Sequence, residues 1–128
     1  MKNELTRFGV FVAMLAMGSQ CLAFTWNISS PQTHMTQIHK TSPNLSALGT
    51  TDRASGTSFI AYARLSSDGS NVSQKSGSSG TMSWSADIPV PTGGTWPIGY
   101  DVIYVHLLPS NPSDTVTSQD QLVEVLDP

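Results

Sequence analysis

Three histidines, His34, His39 and His106, are the residues of this chain best suited to acid–base catalysis or metal binding. No two of them stand at i, i+2 on a strand or at i, i+4 on a helix, the spacings that direct two imidazoles toward one metal ion. His34 and His39 fall in a segment interpreted as a loop, where we expect solvated side chains. His106 alternates with Val105 and Leu107, which indicates a strand residue that faces solvent or a polar neighbour.

The chain also lacks the sequence patterns of a serine nucleophile and of paired catalytic carboxyl groups. No serine lies in a Gly-x-Ser-x-Gly sequence, which would mark an activated nucleophile. A glycosidase needs two carboxyl groups that face each other across a cleft, and a calcium loop needs clustered acidic residues. The aspartates are instead spread among predicted turns and outward strand positions: Asp52, Asp68, Asp87, Asp101, Asp114 and Asp120. We therefore predict a protein that is not an enzyme and has no cofactor and no metal site.

One aromatic loop is the best candidate for ligand binding. Trp96 follows two glycines and precedes a proline, in a loop that offers it little cover. Sugar rings stack on exposed aromatic rings, and tryptophan is frequent at the centres of protein interfaces. The predicted binding site consists of Gly94, Thr95, Trp96 and Pro97. The alternative is that Trp96 folds back over the end of the domain and belongs to its core.

The elements that would position this loop are β-strands, because apolar and polar residues alternate along much of the chain. In 81–90, Met82, Trp84 and two further apolar residues fall on one face, so Trp84 is predicted to be deeply buried. Trp26 is likewise predicted to be a core residue. The segments 66–80 and 89–99 are rich in small polar residues and predict the longest loops. The predicted strands are Thr25–Ser29, Asn44–Thr50, Phe59–Leu65, Thr81–Val90, Tyr100–Leu108 and Gln121–Leu126.

The first 23 residues have the pattern of a signal peptide. Two basic residues near the start are followed by an apolar run over 10–17. That run is shorter than the roughly 20 residues that cross a bilayer, which favours a cleaved export signal over a membrane anchor. Cys21 and Ala23 supply small residues at positions −3 and −1 of a cleavage site. We therefore expect the exported chain to begin at Phe24 and to keep no stable membrane span.

The remaining residues, 24–128, have the length of one small domain. They contain no cysteine, so no disulfide can staple the fold, and they carry four basic and eight acidic side chains. No cluster of basic residues is present. Since binding to phosphates depends on concentrated positive charge, a nucleic-acid partner is disfavoured.

The order of these features resembles the bacterial immunoglobulin-like (Big-type) domains of secreted and surface proteins. The resemblance implies a single immunoglobulin-like antiparallel β-sandwich of about seven strands over 24–128, which follows the predicted signal peptide helix over 1–23. It further implies a core role for Trp84 and makes Tyr100 the aromatic that opens strand F. The segments that carry it are Ile28–Pro31, Leu45–Thr50, Phe59–Gly69, Gly80–Pro89, Gly99–Val102 and Leu122–Val125.

Three functions are compatible with such an exported domain. The first is a non-catalytic binding or adhesion domain, secreted, periplasmic or on the cell surface, that recognises a carbohydrate or a protein through loops at one end of the sandwich. The second is a structural or assembly component of the envelope or of a surface appendage that pairs through a strand edge. The third is an immunoglobulin-fold protease inhibitor. An exposed aromatic platform would favour the first, and an unpaired apolar edge strand the second.

Overall fold

A computed structural model describes residues 23–33 and 36–127 of the chain. The predicted signal peptide therefore lies outside the described residues except for Ala23, and so does His34. No helix in the described ranges is long and apolar enough to cross a membrane. The strands are β1 (Thr25–Ser30), β2 (Gln37–His39), β3 (Asn44–Thr51), β4 (Ser58–Leu65), β5 (Asn71–Ser78), β6 (Ser83–Pro89), β7 (Gly99–Pro109), β8 (Thr115–Thr117) and β9 (Gln121–Leu126).

The strands form two sheets, as expected for a β-sandwich. One sheet has four strands in the order β6-β3-β1-β8, and the other has five in the order β2-β9-β7-β4-β5. Most neighbours are antiparallel, but β1 pairs with β8 and β2 pairs with β9 in parallel. The chain thus contributes its first strand to one sheet and its second strand to the other. The expected fold class, all-β with two layers, is confirmed at this level.

The core consists of the inward-facing residues of both sheets, at every second position of their strands. Trp26, Phe59 and Trp84 are each 2% exposed or less, so the predicted burial of both tryptophans is confirmed. The Phe59 ring packs edge-on against Trp26 and Trp84, with centroid distances of 5.7 and 5.4 Å. Such edge-to-face pairs stabilise a core beyond the area that they bury. Phe59 belongs to the five-stranded sheet and the tryptophans to the other, so these rings join the two layers.

Trp84 also makes a hydrogen bond that is possible only because residue 49 is a glycine. Its indole Nε1 donates to the backbone carbonyl oxygen of Asn27 over 2.9 Å. Gly49 lies between them in register, paired with Ile28 on β1 and with Trp84 on β6. A Cβ at position 49 would overlap the Asn27 oxygen and lie 2.6 Å from the indole nitrogen. The glycine therefore provides the space for this hydrogen bond.

The prediction of a loop over 66–80 is wrong for most of that segment, because β5 lies within it. β5 is an edge strand that pairs with β4 from Ser58↔Ser78 to Arg64↔Asn71. Its residues are nearly all small or polar, and most of its side chains are exposed. Backbone hydrogen bonds, and not the burial of one face, hold it in the sheet, so apolar alternation could not identify it. The three-residue strands β2 and β8 were missed for the same reason.

Two further expectations about strands are corrected. Met82 was predicted to face inward with Trp84, but it is 71% exposed with a positive φ of 53°. It lies in a tight turn closed by the hydrogen bond from Gly80 N to the Ser83 oxygen, so the strand starts at Ser83, two residues later than predicted. The polar residues that alternate with the buried ones on this strand, Ser85 and Asp87, are exposed.

Candidate functional site

The expectation that Trp96 projects from its loop is wrong. Its side chain is 2% exposed and belongs to the core. Its backbone nitrogen donates to the Lys40 oxygen over 2.8 Å, and its indole Nε1 donates to the Ser42 oxygen over 3.0 Å. The loop 90–98 therefore folds back on the turn between β2 and β3, and Trp96 fills one end of the sandwich. The alternative in which Trp96 is a core residue is the correct one.

The glycines of this loop permit its tight turn. Gly93 and Gly94 have φ values of 104° and 78°, a region that disfavours residues with a side chain. Gly94 N donates to the Pro91 oxygen over 2.9 Å and closes a turn. Gly94 and Thr95 are exposed, and Pro97 is partly exposed. A binding role for these three residues stays a prediction, but the aromatic ring that motivated it is not at the surface.

Bulky side chains are instead gathered on the outer face of the five-stranded sheet. β4 and β7 lie side by side there, with Tyr62 opposite His106 and Arg64 opposite Tyr104. Their alternate residues are buried in the core, so these side chains face outward, and they are partly exposed. Leu108 is 45% exposed. We call this surface the Tyr62 face and define it by Ile60, Tyr62, Arg64, Tyr104, His106, Leu108 and Leu122.

The outer face of the four-stranded sheet is different in composition. Its outward residues are small and polar, with one exception, Leu48, which is 47% exposed. A lone sandwich has water on both outer faces, and small polar residues suffice for that contact. On the two longest strands of this sheet the outward residues are Ser46, Leu48 and Thr50 of β3, and Ser83, Ser85 and Asp87 of β6.

Polar contacts hold the rings of the Tyr62 face in fixed positions. The Arg64 guanidinium lies over the Tyr62 ring, 4.7 Å from its centroid, and its Nε donates to Asn71 Oδ1 over 2.9 Å. The His106 ring is 6.4 Å from Tyr62, and its Nδ1 is 2.7 Å from Asp120 Oδ1. His106 thus faces a polar neighbour, as its sequence context predicts. Side chains that are held in advance lose less entropy when they bind a partner.

An apolar hollow adjoins the Tyr62 face at the end of β4, β5 and β7. Ile60 and Leu108 form one side of it, and Gly77 and Pro112 line it as well. A Cβ at Gly77 would lie 2.8 Å from Cζ of Phe59, so this position packs against the core ring. The hollow is therefore a place where one apolar side chain of a partner could be buried next to the aromatic residues.

A second cluster of side chains lies at the start of β1, around the carboxyl group of Asp114. Arg53 donates to both carboxyl oxygens, from Nε to Oδ2 over 2.8 Å and from Nη2 to Oδ1 over 2.6 Å. Trp26 Nε1 donates to Oδ2 over 2.9 Å, and Phe24 N donates to Oδ1 over 3.2 Å. The Asp114 side chain has no exposed surface, and the Arg53 side chain is 17% exposed. This carboxylate lies in the loop before β8, and it is hydrogen-bonded to the residue before β1 and to the loop before β4.

These hydrogen bonds control the charge of Asp114. The Arg53 guanidinium lowers the pKa of Asp114 to about 2, with smaller contributions from the Trp26 indole and the Phe24 amide, while burial acts in the opposite direction. An aspartate in an unfolded chain has a pKa of about 3.9. The ionised carboxylate is therefore favoured by folding, and its contribution to stability is present above about pH 4 and lost as the pH falls toward 2.

We expect Asp114→Asn to lower the free energy of unfolding at pH 7 and to lose that difference in acid. The difference in unfolding free energy between the parent and the variant should become smaller between about pH 4 and pH 2. The reason is that the Asp114 carboxyl group of the parent becomes protonated in this range. Urea denaturation at several pH values measures this difference. Asp87→Asn, at an exposed position on β6, is the control and should change stability little at any pH. A difference in unfolding free energy that stays constant down to pH 2 would contradict the stabilising role of the ionised Asp114 carboxylate.

The residues of the Tyr62 face were missed by the sequence argument, although a signal for them exists. In Phe59–Leu65 and in Tyr100–Leu108 the outward positions are as bulky as the inward ones. Two adjacent strands of this kind indicate a sheet with an aromatic outer face. Among residues 23–33 and 36–127, no three His, Cys, Asp or Glu side chains form a group that could hold a metal ion. No protein-family model and no curated protein matches the chain.

Proposed function

We propose that this protein is an exported, non-catalytic binding domain of immunoglobulin-like topology, which recognises a protein partner through the Tyr62 face. The observation that carries the proposal is the contrast between the two outer faces. One is small and polar, and the other presents Tyr62, Tyr104 and His106 with Arg64. Tyrosine and arginine are enriched in protein interfaces, where they account for much of the binding energy.

The strand order supports the immunoglobulin-like topology. Immunoglobulin folds have strands A, B and E in one sheet and strands C, F and G in the other. Here β1, β3 and β6 are neighbours in the four-stranded sheet, and β4, β7 and β9 are neighbours in the five-stranded one. The correspondence of β6 with strand E makes Trp84 a core residue of that strand. A resemblance to Big-type domains in particular is part of the proposal and rests on the sequence segments alone.

A protein partner is favoured over a carbohydrate by the geometry of the Tyr62 ring. A sugar stacks on the free face of an aromatic ring, but one face of Tyr62 is covered by the Arg64 guanidinium at 4.7 Å. The sheet also presents its side chains on a broad surface, with the apolar hollow at one end, instead of enclosing a ligand. Both features suit the surface of another protein. We therefore place the contact on the sheet, and not on the loops at the end of the sandwich.

The two alternative functions receive less support. Assembly through a strand edge would favour an apolar edge, but β5 is mostly polar and carries Lys75, a residue type that protects edges from pairing. Two other edge strands, β2 and β8, have three residues each, and the remaining one, β6, exposes only polar side chains and proline while its apolar Trp84, Ala86 and Ile88 are buried. An inhibitor would present a rigid aromatic loop to a protease cleft, and the tryptophan of the candidate loop is buried.

Photo-crosslinking from the Tyr62 face tests the proposal. We expect the exported protein with p-benzoyl-phenylalanine at position 62 to capture a discrete protein outside the cells of its source, and unlabelled parent domain to compete. The same group at Ser85, on the outer face of the four-stranded sheet, is the matched control and should capture nothing. Tyr62→Ser should weaken binding to the captured protein at least tenfold, a loss of about 1.4 kcal/mol, while the melting temperature changes little.

Two outcomes would contradict the proposal. Equal capture from positions 62 and 85 would mean that the Tyr62 face has no specific partner. A glycan array in which the parent domain binds one sugar and Tyr62→Ser does not would replace the protein partner with a carbohydrate.

A further inference from the structure

Phe24, the residue that precedes β1, is held by three separate contacts. Its backbone nitrogen donates to Asp114 Oδ1 over 3.2 Å, and its carbonyl oxygen accepts from Thr115 N over 2.9 Å. Its ring lies under the Arg53 guanidinium, 4.1 Å from the centroid. The nitrogen of Phe24 is therefore already positioned against a carboxylate.

In the part of the chain that the structure describes, two carboxylates and one guanidinium lie around this nitrogen. Asp114 has no exposed side-chain surface and shares the Arg53 guanidinium with a second acidic group, Asp52, which acts on Arg53 through space. Asp52 Oδ1 accepts from Thr25 N, the next nitrogen along the chain, over 2.8 Å. Two carboxylates thus accept hydrogen bonds from the backbone nitrogens of Phe24 and Thr25. A positive charge on the nitrogen of Phe24 would be attracted to both.

The predicted cleavage site lies at this position. Ala23 is exposed and stands outside β1, so the Ala23–Phe24 bond is at the surface of the domain. Hydrolysis of that bond consumes one water molecule. The water oxygen goes to the carbonyl carbon of Ala23, which leaves as a carboxylate. The two water protons join the hydrogen already on the Phe24 nitrogen, which becomes an ammonium group.

We propose that removal of residues 1–23 creates an α-ammonium group at Phe24 that forms an ion pair with Asp114, and that this pair stabilises the exported domain relative to its precursor. Charge-assisted hydrogen bonds are shorter and stronger than those donated by an amide. The nitrogen needs no new position, because the amide already points at Asp114 Oδ1. Export processing would then be coupled to the stability of the fold. The inference rests on the predicted cleavage site and is independent of the proposed binding function.

The test uses the full precursor, exported from a bacterial host and recovered after processing. Its mass should correspond to a chain that begins at Phe24. The matched control carries Gly-Ser inserted between Ala23 and Phe24, so that the residues before the cleavage site are unchanged and the ammonium moves by roughly 7 Å. At pH 6, where an α-amine is protonated, the unfolding equilibrium constant of the control should be at least fivefold larger.

A second measurement separates the ion pair from simple packing. Only a neutral amine reacts with an acylating reagent, and pairing with a carboxylate favours the protonated form. At pH 7.5 the α-amine of Phe24 should react at least fivefold more slowly than that of the control. The rates should converge above about pH 10, where both amines are neutral. A difference that persists at that pH would mean steric protection and would overturn the ion pair.

Equal unfolding constants and equal acylation rates at pH 7.5 would overturn the proposal. A processed chain that begins at another residue would overturn it as well. In a background of Asp114→Asn, the effect of the insertion on both measurements should disappear. An undiminished effect there would mean that Asp114 is not the partner of the ammonium group.

Discussion

Replacing Trp96 with alanine is expected to lower the free energy of unfolding by about 3 to 5 kcal/mol. The indole is 2% exposed, so its removal leaves a cavity at one end of the core. The Ser42 carbonyl oxygen would also lose the hydrogen bond from Nε1. Urea denaturation followed by far-UV circular dichroism measures the change without relying on tryptophan fluorescence.

Thr95→Ala provides the control for Trp96→Ala, because Thr95 is the exposed neighbour in the same loop. Its effect should stay within about 0.5 kcal/mol, as for most surface substitutions. If the Trp96→Ala protein melted like the parent, the indole would not be a core residue. The prediction of a binding site at Gly94, Thr95, Trp96 and Pro97 would then be restored.

Gly49→Ala is expected to destabilise the domain by at least about 3 kcal/mol, although it adds only one methyl group. The new Cβ would overlap the backbone oxygen of Asn27, and backbone cannot move aside as the end of a side chain can. It would also lie 2.6 Å from the Trp84 indole nitrogen. We therefore expect β1 to shift away from β3 and the hydrogen bond from Trp84 to Asn27 to break. Thermal and urea unfolding measure the loss.

The adjacent residue gives a sharp comparison for Gly49→Ala. Leu48 is on the same strand but points outward and is 47% exposed, so Leu48→Ala should cost less than about 1 kcal/mol. Removing most of a leucine side chain should thus cost less than adding one methyl group. Equal stability of the two variants would mean that β1 and β3 can separate without penalty at this position.

Apolar alternation predicted six of the nine strands because each of those strands buries at least one face. Gln121–Leu126 was predicted with the bounds that the structure has, and Asn44–Thr50 ends one residue early. β5 could not be predicted in this way, since its place in the sheet depends on the backbone of β4. Local sequence does not record such a pairing.

The direction of Trp96 depends on contacts distant in sequence. Glycines beside a tryptophan are compatible with an exposed ring and with a buried one, and the carbonyl groups of Lys40 and Ser42 determine which occurs. The Asp114 cluster is similar, because Arg53 and Phe24 are 61 and 90 positions away along the chain. The Tyr62 face could have been predicted from the sequence with one further step. It required only that β4 and β7 be recognised as neighbours with bulky outward residues.

The parallel pairing of β2 with β9 has a mechanical consequence. Gln37 lies beside Glu124 and His39 beside Leu126, so the two strands near opposite ends of the chain run in the same direction. A pull applied to Gln37 and Leu126 draws these strands past each other along their length. The hydrogen bonds between them then carry the load together, and do not open one after another as in a peeled hairpin. Tension applied between β2 and β9 would meet a shear-resistant joint in the sheet that carries the Tyr62 face.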